Sequence, residues 1–138
     1  MVDDDIRELL DKISAQMRRN YGELLRELDL HVGQDNFLCA LWTSDGLTQV
    51  QLCEHLRCEA PTVTNMVKCL EKKGIVYRQS DESDGRVSRI FLTGKGQELR
   101  EPILDRWRQQ QAKLLEGIPH EERLLLRKLM KQMENNLL

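Results

Sequence analysis

Four polar side chains that exchange hydrogen bonds readily lie on one face of a helix predicted over residues 60–73. They are Thr62, Thr64, Asn65 and Lys68. Threonine hydroxyls suit phosphate oxygens or base edges, asparagine can bond adenine N6 and N7 together, and lysine suits phosphate or guanine. The opposite face is apolar at helical spacing, with Val63, Met66, Val67 and Leu70. The apolar face is therefore predicted to pack in the core. The polar face is either a surface that contacts base edges and phosphates or an ordinary solvent-exposed surface.

An arginine-bearing hairpin is predicted directly after this helix. The β-rich segments "IVYRQS" and "VSRIFL" follow Gly74 and flank "DESDG", in which Asp84-Gly85 is a turn signal. Arg86 lies near the predicted tip and could enter a minor groove, where narrow A·T-rich DNA concentrates negative potential. Arg89 on the returning strand is a further candidate for a phosphate contact. The hairpin therefore favours a nucleic-acid-binding role for the polar face of the helix over a purely solvent-exposed one.

Helices before residue 60 are predicted from apolar spacing and capping residues. Spacing from Ile6 predicts a first helix of about 25 residues, and "NFLCALWTSDG" predicts a second, shorter one. Thr48 and Gln51 have the spacing of a capping box, which starts a third helix. Pro61 suits the first turn of the fourth helix, where its missing N–H costs nothing.

Helices after the hairpin follow from the same signals. Thr93 is the expected N-cap of a fifth helix, whose stripe includes Leu99, Ile103, Trp107 and Leu114. Pro102 lies inside that stripe and should bend or interrupt the helix. Pro119 opens a last helix with a second apolar stripe.

The predicted fold is mostly α with a small β-hairpin wing. Two short helices joined by about three or four residues form a helix-turn-helix, and a hairpin after them makes a winged helix. The length of 138 residues suits one domain. The winged lobe is expected at about 33–96, with helical regions at about 1–30 and 97–138. The apolar stripes of these helical regions have no sheet to pack against, so they are expected to be buried against a second copy of the chain.

Charge is unevenly distributed along a chain whose net charge is −2. Acids outnumber bases in residues 1–30, whereas bases outnumber acids in residues 57–96. A basic segment inside an acidic protein indicates a polyanion-facing surface. No apolar run approaches a membrane span and the start of the chain is acidic, so a cytoplasmic protein without membrane contact is expected. No HExxH, GxSxG, P-loop or Rossmann pattern is present. We therefore expect a protein that is not an enzyme and that needs no cofactor.

Four segments together resemble the multiple antibiotic resistance regulator (MarR) family of bacterial transcription factors. They are "LTQVQLCEHL", "PTVTNMVKCLEKKGIVYRQ", "DESDGR" and "FLTGKG", within residues 47–96. The resemblance implies an obligate homodimer built by interleaving the N- and C-terminal helices. It implies a transcriptional regulator, most often a repressor, that binds double-stranded DNA at a palindromic operator with one winged helix-turn-helix per half-site.

The resemblance also implies a set of DNA-binding residues. Asp84 and Arg86 match the family's acidic residue and arginine, and Asp84 is expected to orient Arg86 through a bidentate pair. The complete predicted set is Pro61, Thr62, Thr64, Asn65, Lys68, Asp84, Arg86 and Arg89. Two positions depart from the family pattern: family members often have Ser where this chain has Glu59, and Arg where this chain has Asn65. Glu59 is a poor N-cap that repels phosphate, and Asn65 suggests a different base preference or weaker binding.

An effector site is a further expectation from the resemblance. Many family members respond to phenols or carboxylates held between the dimer helices and the DNA-binding lobe. The residues that could line such a cleft are His31, Phe37, Trp42 and Trp107. Aromatic residues at helical spacing are more often core than pocket wall, so a structural role is the competing interpretation.

Two other functions remain as alternatives. A redox-responsive regulator would act through a cysteine, but Cys39, Cys53 and Cys69 fall at predicted core positions, which leaves Cys58 beside Arg57 as the least buried candidate. A winged helix can also bind protein without binding DNA. A metal-sensing role is disfavoured because the three histidines are far apart in sequence, with no HxxxH pair.

Overall fold

A computed structural model describes the whole chain, residues 1–138. It contains seven helices and three short strands. In chain order these are α1 (Val2–Arg26), α2 (Gln34–Thr43), β1 (Leu47–Thr48), α3 (Gln49–Leu56), α4 (Ala60–Lys72), β2 (Val76–Ser80), β3 (Ser88–Leu92), α5 (Gly94–Glu98), α6 (Arg100–Leu114) and α7 (His120–Leu137). The predicted fold class, mostly helical with a small wing, is confirmed. None of the helices combines the length and apolar character that a membrane span requires.

The chain forms two compact units, Met1–Arg106 and Trp107–Leu138. The first contains the predicted winged lobe together with α1, α5 and the start of α6. The second contains the rest of α6 and all of α7, which has no buried residue. The core of the described chain therefore lies in the first unit.

The helix-turn-helix is held by apolar side chains from α2, α3 and α4. Val63, Val67 and Leu70 of α4 are buried, as their spacing predicts, together with Leu52 of α3 and Phe37 of α2. Met66, predicted to be core, is only half-buried because it lies at the edge of this stripe. The apolar face of α4 is thus committed to the core, and its polar face points away from it.

Capping explains where the helices of the lobe begin. The predicted capping box is present: the Gln51 N–H donates to Thr48 Oγ1 at 3.2 Å, and the Thr48 N–H donates to Gln51 Oε1 at 2.9 Å. Thr93 caps α5 by accepting from the Gly96 N–H at 3.2 Å. Side-chain oxygens at these positions satisfy donors that have no partner inside the helix.

The predicted long fifth helix is two helices, separated at Leu99. Helix α5 ends at Glu98 and α6 begins at Arg100. Pro102 accounts for the break, because it has no N–H to donate to the carbonyl of Glu98 four residues earlier. The prediction that Pro102 bends or interrupts the helix is confirmed.

The wing is part of a three-stranded antiparallel sheet in the order β1-β3-β2. The predicted hairpin of β2 and β3 is present, with Val76 opposite Leu92 and Ser80 opposite Ser88. Strand β1, which the sequence did not predict, adds Leu47 opposite Ile90. Two residues are too short to show an alternating pattern, so only the tertiary pairing reveals this strand.

All four cysteines are free and half-buried. The expectation of core positions is therefore wrong for Cys39, Cys53 and Cys69, which flank the apolar stripes of their helices. Cys69 has a defined role, since its sulfur accepts a hydrogen bond from Gln34 Nε2 at 3.3 Å. Cys58 is half-buried like the other three, so its exposure does not distinguish it.

A partly buried polar cluster joins three elements of the first unit. Tyr21 of α1 and Asp35 of α2 are both buried, and Arg106 of α6 forms an ion pair with Glu27 at 2.9 Å. Burial raises the pKa of the Tyr21 hydroxyl far above its ordinary value, and the charge of Asp35 raises it further, while Arg106 opposes the shift. Tyr21 is therefore neutral in the folded protein.

We expect this cluster to make the protein sensitive to alkali. An unfolded tyrosine ionises near pH 10, whereas the folded Tyr21 does not, so the stability it contributes is complete below about pH 10 and is lost as the pH rises further. Urea unfolding at increasing pH measures the loss. Tyr21→Phe should reduce the loss of unfolding free energy at alkaline pH. Tyr77→Phe, at an exposed position of β2, should leave the pH dependence of the unfolding free energy as in the wild type. Identical slopes for both variants would contradict this assignment.

Candidate nucleic-acid interface

The N-terminal turn of α4 is exposed and has no side-chain cap. Glu59 occupies the N-cap in an extended conformation but makes no capping hydrogen bond, as expected of a poor N-cap. Pro61 lies in the first turn and is exposed, as is Thr62. The turn that leads into α4 passes through Arg57, which adopts a left-handed conformation at φ 53°. The N–H groups of Thr62 and Val63 close the first turn of α4 by donating to the Glu59 carbonyl at 3.1 and 3.2 Å. The positive end of the helix dipole would favour an anion at this exposed terminus.

Asn65 and Lys68 are exposed and lie one turn apart on α4. With Thr62 they follow at spacings of three residues, which places all three on the same side of the helix. The buried Val63 and Val67 occupy the opposite side. The structure thus presents three of the predicted α4 residues together, free to contact base edges or phosphates.

Thr64 has a different environment from the other predicted α4 residues. It is half-buried, and its hydroxyl donates to the Ala60 carbonyl at 2.9 Å. The same hydroxyl oxygen accepts from Gln49 Nε2 of α3 at 2.6 Å. Thr64 is therefore engaged inside the protein, a feature that helical spacing does not reveal because Gln49 belongs to another helix.

Arg86 extends from the turn of the wing, with 93% of its side chain exposed. Its Nε and its backbone N–H both contact Asp84 Oδ1, at 3.2 and 3.1 Å. The predicted bidentate pair between the two side chains is absent, because the guanidinium meets the carboxylate through Nε alone. This arrangement orients the side chain and leaves both terminal nitrogens available to other acceptors.

Arg89 is anchored within the sheet. Its Nε donates to Asp81 Oδ1 at 3.2 Å, and a terminal nitrogen donates to the Gly46 carbonyl at 2.9 Å. The Ser83 hydroxyl and the Arg89 guanidinium hold the pKa of the Asp81 carboxyl below its ordinary value. Arg89 therefore ties β3 to the turn before β1, a role that sequence spacing did not indicate.

Positive charge on this side of the first unit is concentrated on few residues. Arg78 pairs with Glu71 at 2.8 Å, and Lys73 lies near Asp29. Lys68 and Lys72 of α4 are exposed bases without a carboxylate partner, and the Arg86 guanidinium on the wing contacts Asp84 only through Nε, so its terminal nitrogens stay free. The basic character of residues 57–96 is thus directed outward from the helix and wing that would meet DNA.

The predicted effector residues have separate environments. Phe37 is fully buried, His31 is exposed, and Trp42 is half-buried with its Nε1 donating to the Gly96 carbonyl at 3.1 Å. Trp107 belongs to the second unit, where it is half-buried. The role of these residues in ligand binding stays a prediction. No group of three or more His, Cys, Asp or Glu side chains is arranged to hold a metal ion.

A helix-turn-helix followed by a paired wing, with an exposed polar face on the second helix and an exposed arginine on the wing, defines a winged-helix protein of the DNA-binding type. The model of the MarR family matches residues 33–88. The organic hydroperoxide resistance transcriptional regulator of Bacillus subtilis (strain 168) is 34% identical over 97 residues, which are 70% of this chain and 66% of that regulator. This chain belongs to the MarR family, whose members are DNA-binding transcriptional regulators and not enzymes.

Solved structures agree with this assignment over nearly the whole chain. The crystal structure of an S. aureus MepR–DNA complex has a TM-score of 0.86 at 28% identity and covers 94% of this chain and 96% of that one. A MarR transcriptional regulator from Methanosarcina mazei Go1 has a TM-score of 0.83 at 26% identity and covers 97% of both chains. The fold of these regulators is therefore shared well beyond the winged lobe.

Proposed function

We propose that this protein is a transcriptional repressor that binds a palindromic operator as a homodimer. The observation that carries the proposal is the placement of Asn65 and Lys68 on the exposed face of α4, with the exposed Arg86 on the wing beside it. A helix of this kind can enter a major groove while the wing reaches the adjacent minor groove. The similarity to MepR, whose solved complex contains DNA, supports the same mode of binding.

Exposed apolar residues near both ends of the chain support the homodimer. On α1 they include Leu9 at 54% and Ile13 at 43% exposure, and on α7 they include Leu125 at 54% and Leu129 at 47%. Each helix carries several such side chains at helical spacing, more than a monomer usually leaves in water. A second copy would bury them, and a two-fold dimer would present two copies of α4 to a palindromic site.

The dimer is tested by the mass of the protein in solution. We expect sedimentation at micromolar concentration to give a species of two chains. Leu9→Asp should weaken this association because it places a charge in the apolar stripe. Ser14→Asp, at an exposed polar position of the same helix, should leave the mass unchanged. A wild-type protein that sediments as one chain would contradict the proposal.

A small phenolic or carboxylate ligand that relieves DNA binding is part of the proposal, with His31, Phe37, Trp42 and Trp107 as its candidate residues. Regulation through a cysteine is the alternative. Titrating salicylate into the protein–operator complex tests the first possibility, and treatment with a mild oxidant tests the second. Release by oxidant but not by salicylate would favour the cysteine.

Selection of bound duplexes from a random pool tests DNA binding and identifies the half-site together. We expect an imperfect palindrome whose half-site centres lie about one helical turn apart, since a two-fold dimer would read successive major grooves. Affinity should fall steeply with salt because phosphate contacts release counterions. Failure to enrich any duplex would favour a protein-binding role for the wing, and a non-palindromic single site would contradict the dimer.

A further inference from the structure

Gln49, the first residue of α3, bridges to the first turn of the neighbouring α4. Its Nε2 donates to Thr64 Oγ1 at 2.6 Å and lies 3.3 Å from the Ala60 carbonyl oxygen. Gln49 and Thr64 are both half-buried, so the contact is partly shielded from water. One side chain of α3 therefore contacts both ends of the opening turn of α4.

Within the opening turn of α4, the Thr62 and Val63 N–H groups donate to the Glu59 carbonyl and the Thr64 hydroxyl donates to the Ala60 carbonyl. These bonds shape the turn but do not tie it to another helix. Glu59 supplies no capping hydrogen bond, and Pro61 has no N–H to offer. Val63 packs into the core on the buried side of the turn. The bridge from Gln49 is the side-chain hydrogen bond that links this turn to α3.

The hydrogen-bonding capacity of Thr64 is largely used by this bridge. A hydroxyl has one proton to donate, and Thr64 donates it to Ala60 O at 2.9 Å. Phosphate oxygens need a donor, so Thr64 could serve one only by releasing the Ala60 carbonyl. Thr62 and Asn65 have no such commitment and are exposed.

We propose that Gln49 is a positioning residue for DNA reading, and that Thr64 acts through Gln49 and makes no DNA contact of its own. The bridge holds the first turn of α4 at the depth and angle from which Asn65 reaches a base edge. Base-edge contacts carry the sequence information, whereas phosphate contacts carry none directly, so a displaced recognition helix should lose specificity. This inference rests on the proposed function and assigns two residues within it.

A double-mutant cycle with Gln49→Ala and Thr64→Val tests the proposal. Affinity is measured for the selected operator and for a scrambled duplex of the same composition. Each single change should weaken operator binding about three- to tenfold, the range of one hydrogen bond, with a smaller loss on scrambled DNA. The losses should not add in the double variant, because both changes break the same bridge. Its affinity should equal that of the single variant with the lower affinity. Thr64→Ser keeps the hydroxyl and should retain the wild-type affinity.

Gln51→Ala is the matched control, because it also removes an amide from the first turn of α3 and breaks the capping box. Thermal unfolding should show destabilisation of Gln49→Ala and Gln51→Ala, but only Gln49→Ala should reduce the ratio of operator to scrambled affinity. Losses that add in the double variant would show that Thr64 contacts DNA directly, and an unchanged ratio for Gln49→Ala would overturn its role. If the wild-type protein bound no duplex, the proposed function itself would fail, which is a distinct result.

Discussion

Asn65→Ala should reduce the preference for the operator over scrambled DNA by about 1–3 kcal/mol, the discrimination that a bidentate base contact provides. The expected loss is specific, because the exposed Asn65 amide lies on the face of α4 that also presents Lys68. The dependence of affinity on salt should remain nearly unchanged, since no charge is removed. Competition binding across several salt concentrations measures both quantities.

Arg86→Ala is the matched contrast, because it removes a charge from the wing and leaves α4 intact. It should weaken operator and scrambled DNA alike and reduce the salt slope by about one. Arg86→Lys keeps the charge and should recover the salt slope. Both Asn65 and Arg86 are exposed, so neither substitution should change stability by more than about 0.5 kcal/mol. Equal losses on both duplexes for Asn65→Ala, or no loss for Arg86→Ala, would show that the contacts are assigned wrongly.

Gly96→Ala should destabilise the first unit strongly. A Cβ on Gly96 would lie 2.4 Å from the Ile75 carbonyl oxygen and 3.0 Å from a Leu92 methyl group. The first of these is a backbone atom, so the start of α5 would have to move away from the sheet. Overpacking of this kind costs about 1–3 kcal/mol and more where backbone must shift. Urea denaturation of the purified protein measures the loss.

Gly94→Ala provides the control for this experiment, because it lies two residues earlier in the same helix and faces open space. Alanine favours helix over glycine, so Gly94→Ala should be neutral or stabilise by up to about 1 kcal/mol. A Gly96→Ala protein as stable as Gly94→Ala would show that α5 packs less closely than the structure has it.

Local signals predicted much of the fold. The capping box of Thr48 and Gln51, the cap at Thr93 and the break caused by Pro102 depend on residues close together in sequence, so they were readable without the structure. The buried face of α4 followed from helical spacing. Strand β1 was not predicted, because its two residues are defined by pairing with β3 and have no pattern of their own.

The candidate interface was predicted less completely, for a physical reason. Helical spacing identifies which face of α4 is polar, but it does not identify which polar side chains already have partners inside the protein. Thr64 bonds to Gln49, and Arg89 bonds to Asp81 and Gly46, through contacts between separate elements. Charge alone likewise did not distinguish Arg86, whose guanidinium contacts Asp84 through Nε only and which keeps 93% of its side chain exposed, from Arg78, whose Nε and a terminal nitrogen both contact Glu71.

The two tryptophans give each unit of the molecule its own optical reporter. Trp42, whose indole N–H bonds the Gly96 carbonyl, belongs to Met1–Arg106, and Trp107 belongs to Trp107–Leu138. Indole emission changes when the ring enters water, so Trp107→Phe leaves fluorescence that follows the first unit and Trp42→Phe leaves fluorescence that follows the second. Comparing the two denaturation curves would show whether the units lose their structure in one transition or in two.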